Sequence, residues 1–395
     1  MIKRKKKNKE HNPFYDPTLK KRHLSAKRFK KFTLTSLIFS VAFLAFFLFD
    51  MIGKGIPAFN IAYIKVDVTF NEKTLEDTRF AVPTEYRNLV SRAALRDLPK
   101  LLEENPTYMN STQNIWILAS SQVDQYIKNH NHNLKDKDIA KVDELYAQGL
   151  IDKKFNAIFF ENGDSKIPEY AGIFSAVIGS ILTLIITMAV AFPIGVMTAI
   201  YLEEFALDNK FTRFIEININ NLAAIPSILF GLLGLAIFIN LFGMPRSSPL
   251  VGGLTLALMT LPIIIVSSRA ALRAVPDSIR QAGYGLGLNK IQVTRDHVLP
   301  LAFPGIMTGS IIGLAQAMGE TAPLIIIGMI AFIPDAPSMV TQAATVMPAQ
   351  LFTWAGMPEG MYIEKTAAGI LVLLTILISL NAIAIFLRKK FEVKW

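Results

Sequence analysis

The sequence contains no cysteine, and only 5 of its 395 residues are histidine. The lack of cysteine excludes disulfide bonds, thiolate nucleophiles and thiolate metal ligands. The few histidines are scattered and do not form a metal-binding cluster. Charge is also scarce after residue 169, where long stretches carry no Asp, Glu, Lys or Arg. These absences exclude an ordinary soluble enzyme and favour a protein that crosses a membrane several times.

The formal net charge of +10 comes from one short N-terminal segment. Residues 1–31 hold 13 basic and 2 acidic side chains, whereas the rest of the chain holds 28 basic and 29 acidic ones. We interpret 1–31 as a disordered basic arm that anchors the topology and meets anionic lipid headgroups. Nucleic-acid binding is disfavoured, because the arm contains no folded motif for it.

Six uncharged stretches are long enough to cross a membrane, since roughly 20 helical residues span a hydrocarbon core of about 30 Å. Backbone groups in lipid must be satisfied within the chain, so each stretch is expected to be a helix. The fold class is therefore an all-α polytopic membrane protein with six transmembrane helices. The predicted spans are 32–49, 170–202, 217–245, 247–268, 298–319 and 366–387. We expect the fifth span to continue past Glu320 to about Phe332.

Lysine and arginine in the short loops predict the orientation. With the N-terminus inside, the inner segments 1–31, 203–216, 269–297 and 388–395 carry 24 basic residues, and the short outer loops carry only Arg246 and Lys365. Both termini are thus expected in the cytoplasm. Residues 32–49 are expected to remain as an uncleaved first helix, because no small-residue cleavage site follows them.

Residues 50–169 form a 120-residue polar segment on the outer side. Alternating apolar residues predict a strand at 60–70, and 155–160 is a candidate for another. Residues 84–104 and 120–150 are predicted to be helical. We therefore expect a small α/β insert domain in the periplasm, after the first helix. His130 and His132 have no carboxylate or cysteine frame, so a solvated loop is favoured over a metal site there.

The inner segment 269–300 is unusually ordered for a loop between membrane helices. Pro276 and Asp277 predict the start of a short helix. Glycines, including Gly283 and Gly287, permit close backbone approach or a left-handed turn. Such a helix and turn are suited to docking into a groove on a partner. The candidate docking residues are Arg280, Gln281, Ala282, Gly283, Gly287, Leu299 and Pro300.

This segment resembles the EAA motif of permease subunits in binding-protein-dependent ABC importers. Gln281-Ala-Gly283 takes the place of Glu-Ala-Ala, and Gly287, Leu299 and Pro300 match at the motif's spacing. Two positions depart from the pattern. Gln281 replaces the acid, so a charged contact with an ATPase becomes a neutral one, and His297 replaces an apolar residue.

Four further segments narrow the resemblance to the PstA family of phosphate-importer permeases. The four are IYLEE at 200–204, IPSILFGL at 225–232, LPIII at 261–265 and GETAPL at 319–324. The resemblance covers about residues 170–390. It implies a type I ABC importer permease core in the bacterial inner membrane. It also implies a heterodimer with a second, PstC-like permease, two PstB-like ATPase subunits and a periplasmic, PstS-like phosphate-binding protein.

The chain has no phosphate-binding loop of the form G-x-x-x-x-G-K-[ST]. We therefore expect no ATP hydrolysis by this chain and no cofactor in it; ATP is used by the partner subunit. One copy supplies one docking loop, so a working pore needs two permease chains.

Glu320 lies within a predicted span, where a carboxylate is costly and usually faces a cavity or a partner charge. We expect it to face the second permease and to pair with a basic residue there; the alternative is a partly hydrated position near the end of the span. Other polar residues are candidates for the translocation pathway or permease interface, although each is weak evidence alone. They are Thr321, Ser227, Arg269 and Arg273.

Residues 345–354 are predicted to form an amphipathic interfacial helix, with Trp354 as its membrane anchor and a binding protein as its docking partner. Other functions remain compatible with the sequence. The same machinery can carry another oxyanion, such as molybdate or sulfate. A membrane sensor that uses residues 50–169 is a possibility from a different class, as is a secondary transporter, although neither a sensory output domain nor a convincing repeat of spans is evident.

Overall fold

The computed structural model describes residues 18–330 and 332–391. The chain separates into two compact units, residues 1–53 and 54–395. The first long helix, α1 (Leu19–Gly55), contains the predicted span 32–49. The basic arm was expected to be disordered throughout 1–31, but its part from Leu19 onward is helical, because no proline or glycine interrupts the chain there. Residues 1–17 lie outside the described residues.

An α/β insert follows α1, as expected. Its three strands form one antiparallel sheet in the order β2-β1-β3, and Tyr63 of the central strand lies opposite Leu118 and Asp152. The elements in chain order are β1 (Asn60–Phe70), α2 (Glu72–Glu76), α3 (Arg92–Arg96), α4 (Leu98–Glu104), β2 (Ser111–Leu118), α5 (Ser121–Ile127), α6 (Asp136–Ala147), β3 (Ile151–Phe155) and α7 (Ala157–Glu161). Alternate residues of β1, including Ile64, Val66 and Val68, fill the core of the insert.

The strand predicted at 60–70 is confirmed, whereas the candidate strand at 155–160 is wrong. The chain leaves the sheet at Phe155. Asn156 then caps α7, because its side chain accepts a hydrogen bond from the Phe159 amide at 3.2 Å. The helical predictions hold only in part. Residues 84–91 are not helical, and 120–150 is divided into α5 and α6 by a turn in which Asn129 has a φ of 58°.

The membrane core contains the remaining helices. They are α8 (Phe174–Ile200), α9 (Lys210–Ala223), α10 (Ser227–Gly234), α11 (Pro249–Arg273), α12 (Asp277–Gly285), α13 (Lys290–Val293), α14 (Leu299–Gly319), α15 (Ala322–Ile326), α16 (Met347–Ala355) and α17 (Gly360–Phe391). Single π-type turns extend α8 to Phe205 and α10 to Leu241, and another joins α13 to α14. In the described ranges five helices are long and apolar enough to span a membrane, and α9 with α10 makes a bent sixth.

Two predicted spans differ from the structure. The third, at 217–245, is not straight, because α9 and α10 meet at a bend of 103°. The fifth does not continue toward Phe332, since α14 ends at Gly319 and Glu320 is extended. Pro226 and Pro323 lie just after these breaks. A proline lacks the amide donor and crowds the carbonyl four residues earlier, which explains why neither helix runs through.

Helix α11 lies at the centre of the core, between α8 and α14. Small residues allow these helices to approach closely. A Cβ on Gly195 of α8 would lie 2.7 Å from Ile264 of α11, and one on Gly305 of α14 would lie 2.6 Å from Ala271. The three helices therefore form a close-packed unit that carries the segment 274–298 at one end.

The insert is joined to α16 and α17 by buried polar contacts. Lys365, which is 1% exposed, donates from Nζ to the carbonyl oxygens of Pro168 and Ala171, each at 2.6 Å. The neighbouring Glu364 carboxylate accepts from Gln125 at 2.7 Å and pairs with Lys128 at 3.0 Å. Because both side chains come from the first turns of α17, the insert is held directly on the last span.

The helix predicted at 345–354 is present as α16, but its predicted role as an interfacial anchor is wrong. Trp354 is 0% exposed, and its indole Nε1 donates to Asp164 Oδ1 at 2.8 Å. Tyr362 and Phe159 pack around the indole. Helix α16 is therefore a buried element of the junction with the insert. The sequence shows that one face of this helix is apolar, but it does not show whether that face meets lipid or protein.

Burial raises the pKa of Asp164 to about 6, even though the Trp354 indole donates to it. The pKa of the same group in the unfolded chain is 3.8, so between pH 3.8 and about pH 6 the folded protein keeps a proton on Asp164 that the unfolded chain releases. We therefore expect this group to stabilise the protein fully below about pH 4 and to lose that contribution as pH rises through 6, by at most about 3 kcal/mol.

Asp164→Asn should be at least as stable as the wild type at pH 8, since the amide is neutral and still accepts from Trp354. The measurement is the thermal midpoint of the full chain in detergent, followed by tryptophan fluorescence at pH 5 and pH 8. A midpoint at pH 8 that is lower in Asp164→Asn than in the wild type would contradict this assignment.

Candidate functional site

The segment 274–298, between α11 and α14, folds into the short helix and turn that the sequence predicts. Helix α12 ends in a C-capping turn in which the Leu288 amide donates to Gly283 O at 3.1 Å and the Gly287 amide donates to Tyr284 O at 2.9 Å. Gly287 has a φ of 83°, a conformation that strongly favours glycine. The turn fixes the direction in which the chain leaves α12.

A second contact fixes α12 against α13. Gly283 is buried, and a Cβ at this position would lie 2.8 Å from Val293 Cγ2. Asn289 caps α13, because its side chain accepts from the Gln292 amide at 2.9 Å and its own amide donates to Gln292 Oε1 at 2.9 Å. Gly283 is therefore a packing residue of this segment, and its surface does not meet solvent.

Arg280 does not point away from the membrane core. Its guanidinium pairs with Glu204 at 2.6 Å and donates to the carbonyl oxygens of Leu272 at 3.0 Å and Val275 at 2.9 Å. Only 4% of the Glu204 side chain is exposed. Because Glu204 ends α8 and Leu272 ends α11, Arg280 connects α12 to two spans at once.

Arg269 and Arg273 pair with carboxylates of this chain. Arg273 Nε donates to Glu203 at 2.7 Å, and Arg269 Nε donates to the same carboxylate at 3.3 Å. Arg269 also pairs with Glu216 of α9. The predicted role of these two residues in the translocation pathway or permease interface thus competes with internal ion pairs. The cavity beside them has a volume of about 500 Å³ and lies between Glu203, Arg273 and Arg280.

The opposite surface of the segment is exposed. Gln281 and Ala282 are exposed on α12, as their predicted docking role requires. Leu286 and Ile291, which the sequence analysis did not select, are 80% and 64% exposed. Pro300 is exposed and Leu299 half-buried at the start of α14. Exposed aliphatic side chains beside a fixed turn provide a surface for a partner protein.

The second group of predicted residues lies at the breaks in the spans. Ser227 opens α10, Thr321 precedes α15, and both are half-buried. The two short helices pack together, since a Cβ on Gly231 would lie 2.7 Å from Pro323 Cα. Interrupted helices of this kind line binding sites in other transporters. The structure therefore brings these predicted residues to one helix pair, away from Arg269 and Arg273.

Glu320 lies between α14 and α15 and is half-buried. Over the described ranges, 18–330 and 332–391, no side chain pairs with its carboxylate. The prediction that Glu320 pairs with a basic residue of a second permease is not tested by the structure of a single chain, and it stays a prediction.

Glu203 and Glu204 were missed as site residues. Both lie in the segment IYLEE that contributed to the family resemblance, but the sequence does not reveal their partners, which lie 66 or more positions away in the chain. Two adjacent carboxylates at the end of an apolar run were the available signal. Within the described part of the chain, no cluster of His, Asp and Glu is arranged to hold a metal ion.

Comparison with known proteins assigns two parts of the chain. Residues 191–393, about half of the chain, match the binding-protein-dependent transport system inner membrane component family. Residues 16–85 and 81–136 match a domain of unknown function, DUF3333. The first match includes α12, the capping turn and Glu320, and the second includes much of the insert.

The curated relatives include permeases named for phosphate. The phosphate transport system permease protein PstA of Mycobacterium leprae is 36% identical over 160 residues, which are 40% of this chain and 52% of the relative. PstA of Yersinia pestis is 31% identical over 245 residues, 61% of this chain and 81% of the relative. The probable ABC transporter permease YqgI of Bacillus subtilis is 33% identical over 168 residues, which are 42% of this chain and 56% of the relative.

The chain spans a little over half the length of the Mycobacterium leprae and Bacillus subtilis relatives. Most of the Yersinia pestis relative is covered, and the family match extends over α11 to α17, where the capping turn, the ion pairs and the interrupted helices lie. The chain therefore belongs to the family of binding-protein-dependent transport system inner membrane components, in which it is similar to phosphate permeases of the PstA type.

Proposed function

We propose that this chain is the permease subunit of an ATP-driven importer of inorganic phosphate. It forms half of the translocation pathway. The observation that carries the proposal is the segment 274–298, whose exposed surface is available to an ATPase while Arg280 holds its inner side on Glu204. The names of the relatives support phosphate as the substrate.

The ATPase docks on the exposed surface around Gln281, Leu286 and Ile291. When the ATPase dimer closes, α12 moves as a rigid body. Its motion passes to α8 and α11 through Arg280, and to α14 through the contact between Gly283 and Val293. Both routes consist of direct contacts, either close-packed or between charged groups. Because such contacts deform little, the segment transmits most of the displacement to the spans.

The complex contains three further subunits and a soluble partner. A second, PstC-like permease completes the pathway, two PstB-like ATPase subunits use ATP, and a periplasmic, PstS-like protein delivers phosphate. This chain itself holds no cofactor. It lies in the bacterial inner membrane with both termini in the cytoplasm, which the concentration of lysine and arginine in alternate loops supports.

The first experiment replaces Gly287 by valine and measures ATP-dependent phosphate uptake in vesicles that contain the co-expressed complex. Valine is strained at a φ of 83°, by about 1–3 kcal/mol, so the docking surface should be misplaced and uptake should fall about tenfold or more. The ATPase should also copurify poorly.

Gly285→Ala is the matched control, because a Cβ there meets nothing within 4 Å and the backbone is helical. Uptake that persists in Gly287→Val with the ATPase still bound would refute the coupling role of the segment. If the wild-type complex does not import phosphate with the ATPase present, phosphate is not the substrate, and another oxyanion such as molybdate or sulfate becomes the proposed substrate.

A second experiment tests the connection through Arg280. Arg280→Gln leaves the buried Glu204 carboxylate unpaired, at a cost of about 3 kcal/mol, so uptake per ATP hydrolysed should fall while the ATPase remains bound. The double variant Glu204→Gln/Arg280→Gln removes the unpaired charge and should recover stability. If the wild type and Arg280→Gln take up the same amount of phosphate per ATP hydrolysed, the motion does not pass through Arg280.

A third experiment concerns Glu320. If its carboxylate pairs with a basic residue of the second permease, Glu320→Gln should reduce both the yield of the permease heterodimer and phosphate uptake. Glu103→Gln, on the exposed side of α4, is the control. Normal yield and normal uptake of Glu320→Gln would show that this residue has neither role.

A further inference from the structure

The arginines of the insert are concentrated at one place. Residues 50–169 contain 4 arginines and 11 lysines. All four arginines, Arg79, Arg87, Arg92 and Arg96, line a single cavity of about 640 Å³, and none of the lysines whose side chains the structure describes does. Among the described side chains, the basic groups that line this cavity are therefore all guanidinium groups.

The four side chains come from α3 and from the chain segment that precedes it. Arg92 and Arg96 are four residues apart on α3, so they lie on the same face of that helix. Arg87 stacks over the Phe80 ring, with its guanidinium carbon 5.0 Å from the ring centre. Arg79 forms a bidentate salt bridge with Asp77, and the shortest contact is 2.7 Å.

The positive charge of the cavity is mostly uncompensated. Asp77 is the one acidic residue among the described residues that line it, and it pairs with Arg79. No salt bridge joins Arg87, Arg92 or Arg96 to a described carboxylate, although the charge of Arg87 also acts on Asp77. Three like charges around one concavity repel each other, and the repulsion is relieved when an anion binds between them.

We propose that this cavity is a binding site for a phosphate group, either free or carried as a monoester. Guanidinium forks match the geometry of phosphate oxygens and donate in pairs, which an ammonium group cannot do. Asn88 and Thr78 add polar groups to the lining, and Phe80 and Leu95 give it an apolar wall suited to the organic part of an ester. The volume is within the usual range of ligand pockets.

This site is distinct from the translocation pathway proposed above. It belongs to the insert, most of which matches a domain of unknown function, and not to the helices that match the permease family. Because Glu364 and Lys365 fasten the insert to α17, occupancy of the cavity has a rigid route to the last span. The insert would therefore bind a phosphate group at a site separate from the translocation pathway.

The test is a binding measurement on the full-length chain in nanodiscs of zwitterionic lipid, without ATPase or binding protein. The probes are inorganic phosphate, glycerol phosphate and vesicles of phosphatidic acid, which separate a free anion, a soluble monoester and a lipid monoester headgroup. At low ionic strength we expect saturable binding of at least one probe, weakened by added salt.

Arg92→Gln/Arg96→Gln should raise the dissociation constant about tenfold or more, since each removed guanidinium loses a charged hydrogen bond. The control, Lys135→Gln/Lys137→Gln, makes the same change of charge on exposed residues outside the cavity and should bind as the wild type does. Arg87→Lys keeps the charge and should bind with intermediate affinity.

Absence of binding of all three probes to the wild type would overturn the proposal. So would equal weakening by the arginine and lysine double variants, because it would show a general charge effect. Thermal midpoints of all variants establish that a loss of binding is not a loss of fold; Arg92 and Arg96 are exposed, so their replacement should leave the midpoint unchanged.

Discussion

A buried charge without a partner costs several kcal/mol, and this constraint determines how the membrane core ends on both sides. At one end Glu204 is buried against Arg280, which also satisfies two carbonyl oxygens. At the other end Lys365 is enclosed by backbone carbonyls, and Glu364 by side chains of the insert. The segment 274–298 and the insert are both positioned by these contacts, because displacing either would leave a charge buried and unpaired.

Much of the fold could be predicted because its signals are local. Apolar length located the spans, alternation located β1, and the glycine spacing located the turn that Gly287 closes. Each of these depends on residues within a few positions of one another. The position of the short helix and turn in the segment 274–298 followed from the same kind of signal, and so did the exposure of Gln281 and Ala282.

The rest depends on contacts between residues far apart in the chain. Arg280 was selected for docking, but its partner Glu204 lies 76 positions earlier. Trp354 was expected to anchor a helix at the membrane interface, whereas it lies in the junction with the insert, where it donates to Asp164, 190 positions away. The end of α14 and the bend before α10 were missed for another reason, since prolines in membrane helices often cause no break and Pro193, Pro262 and Pro304 here cause none.

The bend between α9 and α10 also affects the lipid around the protein. The part after the bend, Ser227–Leu241, has 15 residues and reaches only about 22 Å at 1.5 Å per residue. A hydrocarbon layer of about 30 Å is thicker than this element. Where α10 faces lipid, a thinner bilayer beside it, or water that enters to the depth of Pro226, would accommodate this short element. In the importer proposed above, either outcome shortens the distance over which a hydrated anion would move without its solvent.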